Sequence, residues 1–113
     1  MSSIPFETIN WDVLPVTEHK GENGYAFWKT IQLKDIRIRM VEYTAGYKAD
    51  HWCSKGHIIF CLEGEMTSEL QDGTTHLLRN GMSYHVSDDA SSHKSYSEYG
   101  VKLFIIDGDF LSK

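Results

Sequence analysis

The chain is poor in several residue types, and each scarcity removes a class of protein. Two cysteines in 113 residues are too few for a disulfide-stapled scaffold. Eleven lysines and arginines stand against sixteen aspartates and glutamates, for a net charge of −5. The basic residues are scattered, so no stripe exists to neutralise phosphates or grip an anionic bilayer, and neither nucleic acid nor membrane is an expected partner. The longest apolar stretches, Ile58 to Leu62 and Leu103 to Ile106, are strand-sized and far short of the ~20 residues a membrane helix needs. The opening MSSIPFETINWD lacks the basic-then-apolar order of a secretory signal, which points to the cytoplasm. Sustained helical periodicity, internal repeats, a phosphate-cradling glycine loop and a serine nucleophile elbow are all missing.

What is present is an ordinary globular composition, with 41% hydrophobic and 24% charged residues, at a length that suits one core. Residues 1–24 hold both prolines and the turn-rich HKGENG, which predicts an irregular arm with at most one short strand. From Tyr25 onward the pattern is that of strands. YAFWKTIQL and DIRIRMVEY alternate apolar and polar residues around a Lys34-Asp35 break, and Gly46 marks a bend. Further along, Glu65 to Leu70 leads through Gln71-Asp72-Gly73 into Thr74 to Leu78, and Asp-Gly between alternating runs is a strong hairpin signal. Asn80-Gly81 precedes MSYHV, and the chain closes on KSYSEYG and VKLFIID. Many short strands punctuated by turns predict an all-β antiparallel sandwich or small barrel over residues 25–113.

The segment DHWCSKGHIIFCLEG, Asp50 to Gly64, carries the chemistry. His51 and Cys53 are two apart and share a face if extended. With Ser54, Lys55 and Gly56 as a turn, IIFCLE would return antiparallel and set His57 across from Cys53, with Cβ atoms roughly 5 Å apart. Three soft or borderline donors would then meet. In the same hairpin Cys61 lies roughly 14 Å from the turn, out of disulfide reach, and its flanks Phe60 and Leu62 mark it as a buried core thiol. Of the remaining histidines, His19 and His76 read as surface residues and His85 as a surface or core residue. Trp52 reads as a residue that packs between sheets or at a subunit contact, and Trp28, Tyr43, Tyr96 and Arg39 read as packing residues unless they line a cavity. Asp88 and Asp89 read as turn formers.

These residues resemble the cupin superfamily. Its first motif is matched by Gly46, His51, Cys53, His57 and Gly64, and its second by Gly81 and His93 after the SDDASS turn. Within the superfamily, the wording DHWC, KGH and LEGE is similar to the small DHCW-motif cupins. The resemblance implies an antiparallel double-stranded β-helix, the jelly-roll barrel. It also implies a metal held by His51 and His93 at the family's histidine positions, with Cys53 in place of the second histidine and His57 in place of the glutamate. Ser87 and Asp89 stand where the second motif has proline and glycine. A set of three imidazoles and one thiolate favours Zn²⁺ or Fe²⁺, or else Ni²⁺ or Cu²⁺, over Mg²⁺ or Ca²⁺, which prefer oxygen. Three ligands plus water would leave a position for chemistry of a dioxygenase or isomerase kind, whereas four would close the site as a structural one. Asp50 is placed to steady a ligand. A non-catalytic metabolite sensor or a metal-free barrel are the alternatives. The resemblance further implies a homodimer, with the apolar arm Ile4 to Val16 as the element that could reach a partner.

Overall fold

The computed structural model describes residues 4–112, so residues 1–3 of the arm and residue 113 lie outside it. A single 3-10 turn, Trp11–Val13, opens the fold. Nine strands follow: β1 Thr17–Lys20, β2 Tyr25–Leu33, β3 Ile36–Tyr43, β4 Tyr47–Lys48, β5 His57–Leu70, β6 Thr75–Arg79, β7 Ser83–Val86, β8 His93–Ser97 and β9 Val101–Gly108. A second 3-10 turn, Asp109–Leu111, comes after them. All pairings between these strands are antiparallel. The one short strand allowed for in residues 1–24 is β1, which pairs with β2 through Thr17–Trp28 and Lys20–Tyr25.

The strands run in the order β1-β2-β3-β9-β5-β8-β4, with β6 and β7 also attached to β5. β5 is the shared spine of the barrel. Its first part pairs with β7 and β9, and its second part with β6 and β8. The sequence reads this stretch as two strands, IIFCLE and Glu65 to Leu70 on either side of Gly64, but the chain keeps one strand of 14 residues and curls it. A register shift between Cys61 and Glu63 marks the curl, as a bulge adds local bend and twist. Gly64 takes φ +84°, and a Cβ there would collide with the Gly100 carbonyl, so glycine is what permits the crossing. The Asp72-Gly73 turn forms as expected and joins β5 to β6 with Glu69 opposite Thr75.

Alternation decides what faces inward. In β9, Val101, Leu103, Ile105 and Asp107 are buried while Lys102 is exposed, the period of two that a half-buried strand imposes. Across the sheet Trp28, Val41, Leu103 and Cys61 form one row, and Thr30, Arg39, Ile105 and Ile59 the next. The core is Val41, Ile59, Cys61, Met66, Leu78, Val101, Leu103 and Ile105, with Cys61 fully buried among them. It fills one end of the barrel. Toward the other end the inward positions turn polar, with Arg37, Arg39, His57, His93, Ser95 and Asp107, and this is where the barrel hollows.

Candidate metal centre

The first strand of the expected hairpin does not form. Cys53 is instead bridged to His93, its amide donating to the His93 carbonyl at 2.8 Å and its carbonyl accepting from the His93 amide at 3.0 Å. Residues 54–56 form no two-strand turn. Gly56 is buried, and a Cβ there would lie 2.5 Å from the Val86 carbonyl and 2.6 Å from the Asp88 amide. The Gly56 amide donates to Asp88 Oδ1 at 2.6 Å, which is the backbone-capping role expected of that aspartate. Packing of glycine against the 86–88 backbone delivers the chain into β5, where His57 pairs with Val86 rather than facing Cys53. Cys53 and His57 still meet, but they meet across the barrel mouth.

Cys53, His57 and His93 offer one ligand atom each, and these atoms lie within 4.8 Å of one another. The Cys53 Sγ to His57 Nε2 distance is 3.7 Å. A tetrahedron built from Zn–S and Zn–N bonds has edges of roughly 3.3 to 3.6 Å, so a small closure would satisfy such an ion. Both imidazoles are oriented from behind. His57 Nδ1 donates to Asp107 Oδ2 at 3.3 Å and His93 Nδ1 donates to the Ser91 carbonyl at 3.1 Å. An N–H committed at Nδ1 leaves the lone pair at Nε2 in each neutral ring, the arrangement by which carboxylates and carbonyls fix metal-binding histidines. When the Nε2 atoms of His57 and then His93 carry a proton, their hydrogen bonds to the sulfur pull the Cys53 thiol down to about 5, against the upward push of its burial. The thiolate is therefore available near neutrality, and a metal would take the place of those Nε2 protons.

His51 stands apart from these three. Its side chain is 75% exposed, and Nδ1 bonds Asp50 at 2.6 Å, so Asp50 holds the histidine as the sequence suggested. The residue lines the same cavity at its rim. His19, His76 and His85 are exposed, and His19 stacks on Trp28 with ring centres 3.9 Å apart. Trp52 is 38% exposed rather than packed between sheets, because Cys53 bridging to His93 leaves its neighbour on the outside.

The cavity is about 180 Å³ in volume, and Trp28, Arg39 and Tyr43 line it together with Cys53, His57 and His93. Tyr96 lies on the outer surface, 42% exposed. Two residues that sequence reasoning missed organise this end. Asp107, 2% exposed, accepts a two-pronged pair of bonds from Arg37, both 2.9 Å, and a third from Arg39 Nη2, also 2.9 Å. Burial alone would raise its pKa, but the hydrogen bonds of His57 and Arg37 and the charge of Arg39 hold it well below the usual carboxylate range. A signal for this cluster was present. Arg37 and Arg39 are in phase with buried Val41, and Asp107 with Leu103 and Ile105, and charges at inward positions must find partners.

No family profile matches this sequence, and no curated protein matches it. Solved structures do. Ectoine synthase from P. lautus superposes with a TM-score of 0.74 at 15% identity, covering 91% of this chain and 78% of the other. An RmlC-like cupin from Shewanella frigidimarina gives 0.73 at 13% identity, covering 93% and 92%. The iron(II) form of HppE gives 0.73 at 17% identity, covering 93% of this chain but 62% of that longer one. Likeness at such identities speaks of architecture alone, and the architecture of this chain is the cupin fold.

Proposed function

We propose that this protein is a small metal-binding cupin of the DHCW kind, holding a divalent transition metal and a small molecule in the mouth of its barrel. The observation that carries the reading is the convergence of Cys53, His57 and His93, with Asp107 and the Ser91 carbonyl behind the two rings. A thiolate with two imidazoles selects Zn²⁺ or Fe²⁺ ahead of Ni²⁺ or Cu²⁺. HppE, a neighbour in fold, is an iron(II) protein by its name. A bound ion would supply Lewis acidity at a position open to water or substrate. This chain's residues do the rest. Asp107 and the Ser91 carbonyl hold both rings so that their Nε2 lone pairs and the Cys53 sulfur would converge on one ion, and Trp28, Tyr43 and Tyr84 give the cavity an apolar wall.

His51 separates an open site from a closed one. Its Nε2 is left free by the Asp50 bond, so an inward swing would complete four protein ligands and favour the non-catalytic alternative, a structural or sensor site. With His51 at the rim, three ligands and one open position favour a mononuclear metalloenzyme. Elemental analysis of protein purified without chelator and supplied with Zn²⁺ or Fe²⁺ is expected to give one metal per chain. Metal-free protein after such loading would sink the reading.

A homodimer fits the outer face. Ile38, Ile58 and Ile106 form one row and Met40, Phe60 and Phe104 the next, with Ile58 and Phe60 38% and 43% exposed. Trp11 packs edge-on to Phe104, ring centres 6.3 Å apart, so part of the arm covers its own barrel, while Phe6 and Val13 are 97% and 76% exposed and available to a second copy. Gel filtration of a version lacking residues 1–16 is expected to show a shift from dimer to monomer; an unchanged dimer would assign the contact to the sheet face alone. Both cysteines are free thiols, which suits a reducing, cytoplasmic setting, and no helix among the described residues is long and apolar enough to cross a membrane.

A further inference from the structure

Three cationic side chains, Arg37, Arg39 and Lys55, line the cavity that the metal-binding group shares, whereas no aspartate or glutamate among the described residues does, and the Cys53 thiolate is the anionic group in its wall. Lys55 has Asp88 at 3.8 Å. The two arginines share one carboxylate, Asp107, which sits behind them. Arg39 is the telling residue. It is 4% exposed, its guanidinium lies 4.3 Å from the centre of the Trp28 ring, and its only hydrogen bond to a side chain is through Nη2 to Asp107. Its Nε is buried without a partner. A guanidinium has five donors in a rigid fork, and a buried one with most of them unused is an incomplete set. Burial first and the Arg37 charge second pull its pKa down, which is how an under-compensated cation behaves.

We propose that the cavity takes a small carboxylate, whose negative charge completes the partners of Arg39 and whose body rests against Trp28, Tyr43 and Tyr84. The proposal rests on reading the barrel mouth as a ligand site, and it does not require the metal. The Trp28 face and the Asp107 bond hold Arg39 in one plane before any ligand arrives, so little side-chain freedom is lost on binding. Tyr84, whose hydroxyl burial pushes up to about 12, stays protonated and can donate. Drug-sized ligands occupy pockets of roughly 300 to 1,000 Å³, so a cavity of about 180 Å³ restricts the ligand to one small ring or a short chain. A neutral ligand of the same shape would leave the arginine charge as it stands.

Benzoate and benzamide make the test, since they share size and shape and differ in charge. Calorimetric titration of the unaltered protein, as purified and after chelator treatment, is expected to give benzoate at least tenfold tighter than benzamide in both states, with the preference shrinking at 1 M salt. Arg39→Gln is expected to abolish the preference. Should that variant fail to fold, the benzoate to benzamide ratio on the unaltered protein still decides. Equal binding of the two overturns the anion proposal and leaves the cavity as a ligand site. Binding of neither overturns both. A preference that disappears with the metal overturns the arginine assignment while supporting the metal centre, whose own failure would show separately as absent metal in elemental analysis.

Discussion

Cys53→Ser is expected to cost this protein its metal, lowering affinity by more than about 100-fold. The figure follows from the loss of an outer partner of a ligand costing about 10- to 100-fold, and here a ligand itself is removed. The serine hydroxyl does not ionise near neutrality, so the site loses both its soft donor and its negative charge. Only the imidazoles of His57 and His93 would remain among the converging groups, and a two-histidine site is a weak one for Zn²⁺ or Fe²⁺. The substitution is expected to leave the fold intact. Cys53 is half-buried rather than part of the core, and the bridge that fixes its position uses the Cys53 and His93 backbones, which serine preserves. Elemental analysis of the variant beside the unaltered protein, with melting temperature as the control, makes the measurement. Stoichiometric metal in both would overturn the thiolate role and turn attention to His51 as the third ligand. Metal lost with the cysteine is the expected result.

Asp107→Asn is expected to cause the largest loss of stability. The carboxylate is 2% exposed and receives Arg37, Arg39 and His57 together. Removing one partner of a buried ion pair costs about 3–5 kcal/mol because the remaining charge is stranded, and here that charge is Arg39, 5% exposed, while Arg37 keeps 30% of its side chain in water. At about 4–8 °C per kcal/mol for a domain near this size, the melting temperature should fall by more than about 10 °C. Acidity supplies a second handle. The folded-state pKa of Asp107 is depressed, so its contribution is complete above the unfolded carboxylate value of about 4 and is lost as pH falls from there toward the folded value. The stability gap between the unaltered protein and Asp107→Asn, measured by denaturant titration, should be constant from pH 5 to 7 and narrow below about pH 4. A gap that stays constant down to pH 3 would show that the ionised carboxylate is not the source of the loss. Metal affinity should weaken too, since asparagine no longer dictates which nitrogen of His57 carries the proton.

Much of this was legible in the chain. Alternation at Tyr25 to Leu33, Ile36 to Tyr43 and Val101 to Asp107 fixed strand type, because a period of two allows one face to be buried. The Asp72-Gly73 turn fixed one hairpin. The flanks of Cys61 placed it in the core. The candidate donors were legible as residue types, since His51, Cys53, His57 and His93 stand out in any reading of donor atoms.

Geometry was not. Local spacing paired Cys53 with His57 as neighbours on a hairpin, yet the barrel pairs Cys53 with His93, forty positions away, because strand partners are chosen by closure of the whole sheet rather than by distance along the chain. The same closure turns β5 into one curled strand at Gly64 and brings Asp107, fifty positions from His57, to its Nδ1 at 3.3 Å. The sequence by itself determined the all-β class, the apolar core and the donor types. Tertiary structure alone decided that three of those donors meet, that His51 waits at the rim, and that two arginines share one buried aspartate, since each of these depends on long-range register that no local pattern encodes.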